Sequence, residues 1–295
     1  MTGQAPLRCA ERADLRGDAM LGTAFPAARL LLVEQPGPWG RAGLRESRFD
    51  PTTAVLLERR ANAAGIRVQA IRRPGRTPPG THRRWALADT RGSQPSLRWG
   101  TYEHDEQLLE LDLDAAAGEP DPEPVYLVCA HSKHDACCAV RGRAVAAALA
   151  AVRPGRVWEC SHVGGDRFAA NVLVLPAGLL YGRVPAAAAL GFATAADRDE
   201  VLPGLLRGRV GLSGPAQAAL AYAHQQLRIR RRAELRVTAA TPVEGGAATV
   251  RLQTPLGPHE VRVVVERVAA DGLTCANPRP NQYLRYRPVT ISAVR

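Results

Sequence analysis

Residues 126–143 read YLVCAHSKHDACCAVRGR, and residues 157–183 read VWECSHVGGDRFAANVLVLPAGLLYGR. The reading of the whole chain turns on these two stretches. Between them they hold four of the six cysteines and three of the seven histidines. Soft ligands gathered this closely point to a metal-containing cofactor.

The elements around these stretches form a recognisable order. VYLVC at 125–129 suits a buried strand, RGRAVAAALAAV at 141–152 a helix, and RVWECS at 156–161 a second strand. ANVLVLP and LLYGRV form a hairpin turned at Pro176, Ala177 and Gly178, and PAAAALGFATAADR at 185–198 is a helix. Strand, helix, strand, hairpin, helix is the order of the thioredoxin-like fold.

Toward the N-terminus the order occurs once before. LLLVEQ at 30–35 is a buried strand running into the turn-rich PGPWG, and Asp50 with Pro51 opens a helix that ends at Gly65. IRVQAIR, HRRWALADT and SLRWGTY read as three strands, and EQLLELDLD as a closing helix. The Pro- and Gly-rich AAAGEPDPEP at 115–124 reads as the linker between the halves. Beyond residue 203, Ser213 and Pro215 open a helix running through the arginines at 228–232, followed by three alternating strands. The expected architecture is therefore α/β, in three parts. Residues 1–114 form a thioredoxin-like half without ligands, residues 115–202 a thioredoxin-like domain carrying the ligands, and residues 203–295 a helix and a small β-rich appendage.

Composition narrows the function classes. A hydrophobic content of 46% and a charged content of 23% belong to a folded globular chain. The net charge of +11 would suit a nucleic-acid binder, but Lys133 is the only lysine and arginine supplies the rest. Such a bias reflects genome composition, so a nucleic-acid partner is not expected. The N-terminal residues show no run apolar enough for a signal-peptide core or a membrane span, which leads to an expected cytoplasmic location without a membrane partner. In that reducing compartment, clustered cysteines favour metal or redox chemistry over structural disulfides. Phosphate-binding, dinucleotide-binding, nucleophile-elbow and zinc-protease motifs are missing, as is a C-x-x-C dithiol. The chain reads as a redox carrier more readily than as a catalyst with its own substrate.

Within the central stretch, Cys129 ends a strand and Cys138, after eight intervening residues, enters a helix, so a loop can bring both thiolates to one metal. His162 and Asp166 are separated by VGG, whose glycines permit close backbone approach to a bulky group. Cys160 and His162 would share one face if the strand continued through them. Cys9 reads as an ordinary free thiol and Cys137 as a spare or core thiol. His131 and His134 read as outer residues of the loop, and Arg141, Arg143 and Arg167 as flanking positive charge that suits an acidic partner.

CAHSKHDACC at 129–138 and SHVGGDRFAANVLVLPAGLLYGRV at 161–184, with PGPWG at 36–40, resemble the sucrase/ferredoxin-like family. These are thioredoxin-like [2Fe-2S] proteins related to the yeast actin-patch-distribution protein. The resemblance implies an electron-transfer role in which two cysteines hold one iron and two histidines, three residues apart, hold the other. Residue by residue it puts Cys129, Cys138 and His162 at ligand positions, with Asp166 where the second histidine would stand. Two completions follow: Asp166 ligates through oxygen, or Cys160 supplies the fourth donor. It also implies an acidic redox protein or a flavoprotein reductase as partner. The alternative from another class is a zinc-stabilised binding module on Cys129, Cys138, Cys160 and His162, or one that binds no cluster. No carboxylate pair for sugar hydrolysis stands out, whatever the family's name suggests.

Overall fold

The computed structural model describes residues 6–75, 82–114, 117–277 and 279–294. The first five residues of the N-terminal segment and residues 115–116 of the expected linker lie outside these.

Strict alternation in the apolar strands builds the core. In β1 (Arg29–Glu34), Leu30 and Leu32 face one side while Leu31 and Val33 face the other. In β6 (Val125–Cys129), Leu127 and Cys129 share the side of Leu30, and Tyr126 and Val128 face away. Both strands are buried along almost their whole length, which is why they read as continuous apolar runs.

Each half is built in the same way. In the first, β1 leads through α2 (Pro51–Ala63) to the parallel β2 (Ile66–Arg72), and the antiparallel β3 (Arg83–Asp89) and β4 (Ser96–Tyr102) follow on the other side of β1. In the second, β6 leads through α3 (Ala136–Val152) to the parallel β7 (Val157–Cys160), with β8 (Val172–Leu175) and β9 (Leu179–Tyr181) on its other side. The halves join where β2 pairs antiparallel with β7, Ile71 opposite Cys160 and Arg72 opposite Glu159. With β5 (Glu119–Pro120) and β10 (Leu206–Arg209) at its two edges, one ten-stranded mixed sheet results, in the order β10-β9-β8-β6-β7-β2-β1-β3-β4-β5. Leu57 and Ala61 of α2 cover the first half, and Val145 and Leu149 of α3 with Phe192 of α4 (Ala189–Asp197) cover the second.

Local chemistry sets the helix starts. Asp50 Oδ1 accepts the Thr53 N–H at 2.7 Å and Pro51 occupies the first helical position of α2. Asp135 does the same for α3, accepting the Cys137 N–H at 2.7 Å, so the helix begins at Ala136 and not at 141. Cys137 and Cys138 therefore lie in its first turn.

Several expectations are corrected. EQLLELDLD forms only a short 3-10 turn at Asp105–Leu109. The expected linker contains β5 (Glu119–Pro120), which pairs with Arg98 and Trp99 of β4. The expected boundary between residues 202 and 203 falls just before β10 (Leu206–Arg209), which joins the large sheet beside β9. Its sequence, LRGR, has too little alternation to show as a strand. Helix α5 (Gly214–Gln226) stops short of the arginine run, because Arg228 adopts a left-handed φ of 55°.

The remaining chain forms a four-stranded antiparallel sheet of β11 (Arg236–Val243), β12 (Ala247–Thr254), β13 (Gly257–Ala270) and β14 (Asn281–Ala293). The edge strand β14 was not legible in the sequence. Val250, Leu252, Val261 and Val263 pack on α5. Helix α1 (Cys9–Arg16) lies over the face shared by the two halves, with Cys9 and Ala10 in that core. Among the described residues, no helix is long and apolar enough to cross a membrane.

Candidate metal centre

Cys129 is the last residue of β6 and Cys138 stands in the first turn of α3, a packing that depends on Gly142. A Cβ at that position would lie 2.1 Å from the Cys129 carbonyl oxygen. The helix can thus sit directly on the strand end, and the two thiols meet in the buried space between them. His162 completes a triad: its donor atom and the sulfurs of Cys129 and Cys138 all lie within 4.8 Å of one another. The structure therefore brings together three of the residues singled out in the sequence.

Asp166 lies against two members of this triad. Its Oδ1 is 3.0 Å from His162 Nδ1 and 3.3 Å from Cys138 Sγ. Nδ1 is buried, and its contact with the carboxylate is an ion-pair approach without hydrogen-bond geometry. A second group of donors, His134, His162 and Asp166, overlaps the first through His162. His134 stacks on the His162 ring at 3.6 Å between centroids and 19° between planes. The sequence reading left His134 outside; its position five residues after Cys129 in the loop was the available signal.

Cys160 is not brought in. It is fully buried in register beside Cys129, yet its sulfur belongs to no such donor group among the described residues. A face shared by Cys160 and His162 requires a strand through both, whereas β7 ends at Cys160 and the chain bends at Ser161.

The glycine pair and the surrounding side chains aim this set. Gly164 and Gly165 have φ of 80° and 71°, a conformation that glycine adopts without steric cost. Their loop is clamped by Arg207 of β10, whose Nη1 donates to Gly164 O and Asn171 Oδ1, both at 2.8 Å. Asn171 Nδ2 donates in turn to Gly165 O at 3.0 Å. From the first half, Arg67 Nη2 donates to His162 O at 2.8 Å. His131 Nε2 lies 2.7 Å from Gly40 O in the PGPWG loop, while its Nδ1 accepts the His162 N–H at 3.2 Å. One proton on Nε2 satisfies both contacts. Arg207 and Arg67 escaped the sequence reading because they lie far from the motif in the chain. The expected flanking arginines are employed otherwise: Arg141 pairs with Asp14, Arg167 with the buried Asp18, and only Arg143 is exposed.

Electrostatics follow from this packing. Hydrogen bonding from Cys138 holds the Cys129 thiol well below its ordinary value against the opposing effect of burial, and His162 adds to this. The same contact pushes Cys138 up. Burial alone would lower His162, but its interactions with Asp166 and Cys129 prevail and push it up to about 9. Asp166 is held below the usual carboxylate range, again against burial, by His162. Desolvation pushes Cys160 up, and pushes the fully buried Arg207 down to about 10. The His162 imidazole thus stands between the Cys129 sulfur and the Asp166 carboxylate.

The histidine side is the accessible one. His134 and His162 line a cleft of about 220 Å³ with Arg41, Gly43, Arg67 and Ser161. The cysteine side is closed off by the sheet and α3.

A family model described as sucrase/ferredoxin-like matches residues 20–208. No curated protein and no solved structure matches the chain.

Proposed function

The chain belongs to the sucrase/ferredoxin-like family, and we propose that it is an electron-transfer protein carrying a [2Fe-2S] cluster on Cys129, Cys138, His162 and Asp166. The observation that carries the reading is the meeting of two buried thiols with the partly exposed imidazole of His162. Thiolates and imidazoles are the usual donors to such clusters, and the triad supplies three of them; Asp166 brings the set to four with an oxygen donor, a departure from that pattern. Asp166 is taken as the fourth donor because it lies against both Cys138 and His162. His134 is the imidazole in reach that could take its place. The thioredoxin-like reading of each half is supported by the strand order β9-β8-β6-β7, repeated as β4-β3-β1-β2, with the first and second strands of each half parallel.

When bound, the cluster would supply a one-electron redox couple. The chain buries the two thiols, orients His162 through His131 and Arg67, and leaves the imidazole edge facing the cleft. Electrons would pass at that edge. Arg41 and Arg67 put positive charge there, which suits an acidic redox protein or flavoprotein reductase, although Glu58 also lines the cleft. Asp166 in place of an imidazole adds negative charge and would lower the reduction potential.

The test is the visible and electron paramagnetic resonance spectrum of protein purified without oxygen, beside Asp166→Ala and His134→Ala. A brown protein with a rhombic signal on reduction is expected, with the signal lost or shifted in Asp166→Ala and retained in His134→Ala. The opposite pattern would make His134 the ligand. A colourless, iron-free chain after anaerobic reconstitution would refute the reading and favour zinc on the same residues.

A further inference from the structure

Cys9, Cys137 and Cys275 are separated by more than a hundred residues at each step, yet their sulfurs meet. The Cys9–Cys137, Cys9–Cys275 and Cys137–Cys275 distances are 3.6, 3.5 and 3.5 Å. Both oxygens of Asp135 lie 3.6 Å from Cys9 Sγ, and the four donors are all within 4.8 Å of one another. Cys9, Asp135 and Cys137 are buried and Cys275 is partly exposed. All three cysteines are free thiols.

We infer that Cys9, Cys137, Cys275 and Asp135 form a second metal site, built for a zinc-type divalent ion and distinct from the centre at Cys129 and Cys138. Tetrahedral zinc with Zn–S of about 2.3 Å has S–S edges of about 3.8 Å and S–O edges of about 3.5 Å. The observed triangle and its carboxylate vertex lie close to that figure. Three equivalent thiols cannot all be used in disulfides, whereas one ion can engage all three. Asp135 is already oriented, since its oxygens accept the N–H groups of Cys137 and Cys275, each at 2.7 Å. Such bracing of a ligating carboxylate is typical of metal sites.

Other contacts hold α1 to the connection between β13 and β14 at this point. Arg16 of α1 donates to Asp271 O at 3.0 Å, and a Cβ at Gly272 would lie 2.7 Å from Arg12. The ion would pin α1 and the connection between β13 and β14 onto the first turn of α3. Cys137 turns toward this site while its neighbour Cys138 turns toward Cys129, so the two centres stand back to back. The ion would therefore brace the turn that presents Cys138.

The test uses the full chain purified without oxygen and with metal content measured per chain. One zinc is expected in the wild type and in Cys129→Ser/Cys138→Ser, and none in Cys9→Ser or Cys275→Ser. Cobalt(II) in place of zinc should give the intense visible bands of a tetrahedral thiolate site. Cys275→His should keep the ion with a weaker thiolate charge-transfer band. Cys275 lies in a partly exposed loop, so its variants do not depend on repacking the core. Zinc content and cobalt spectrum unchanged by Cys9→Ser and Cys275→Ser would overturn the inference. So would a natively folded wild type, by circular dichroism, that binds neither ion after reduction, or a disulfide among the three in the intact mass. The iron-sulfur reading is tested separately: a colourless protein that keeps this cobalt spectrum would refute that reading alone.

Discussion

Gly164 and Gly165 are neighbours with nearly the same backbone conformation, so replacing each by alanine separates backbone strain from packing. At Gly164 an added Cβ meets nothing within 4 Å. Its cost is the left-handed conformation alone, about 1–2 kcal/mol. At Gly165 the Cβ would lie 2.5 Å from Nη2, 2.8 Å from Cζ and 3.0 Å from Nη1 of Arg207. That guanidinium is fully buried and bonds Gly164 O, Asn171 Oδ1 and both oxygens of Thr23. Displacing it strands the buried Asn171 Oδ1 at about 1–3 kcal/mol and gives up the part-buried bonds to Gly164 O and Thr23 O at about 0.5–1.5 kcal/mol each. Gly165→Ala should therefore cost about 3–8 kcal/mol in all, adding this to the backbone strain. That is a large share of a typical domain's total stability of about 5–15 kcal/mol. The assay is equilibrium urea unfolding of the metal-free chain, with metal bound per chain measured in parallel on the loaded protein. Gly164→Ala should unfold at a modestly lower midpoint and still load metal, while Gly165→Ala should lose most of its stability and its metal. Equal destabilisation by the two substitutions would refute the clamping role assigned to Arg207.

Gly142→Ala tests how α3 seats on β6. A Cβ 2.1 Å from Cys129 O must push the helix off the strand end, so an overpacking cost of about 1–3 kcal/mol and a fall in metal bound per chain are expected, and neither changing would sink the account. His224 tests burial away from the centre. Desolvation lowers its pKa, its Nδ1 lies 2.8 Å from Ile229 O, and its Nε2 has no partner. A histidine with a folded pKa below the unfolded value of about 6.5 stabilises the fold above that pH and loses the contribution as pH falls through it. Between pH 7 and 5 the wild type should therefore lose more stability in urea melts than His224→Asn, which keeps a donor for Ile229 O without titrating. Parallel losses would show that folding does not shift the His224 pKa, against the account.

The sequence by itself determined the features whose cause is local. Continuous apolar runs marked β1 and β6, Asp50 before Pro51 marked the start of α2, and glycines beside His162 and Asp166 marked a tight turn at a site. Cys129 and Cys138 were legible as a pair because a strand end, a short loop and a helix start lie within ten residues. The tertiary structure decided what depends on distant segments meeting. Cys160 dropped out of the donor set because pairing ends β7 there, and His134 entered because the loop folds back over His162. Arg207 and Arg67 reach the site from other strands. Cys9 and Cys275, unremarkable in their own surroundings, meet Cys137 only because α1 and the β13–β14 connection close over the first turn of α3. Spacing along a chain reports contacts within one or two elements; contacts between remote elements exist only once the sheet has assembled.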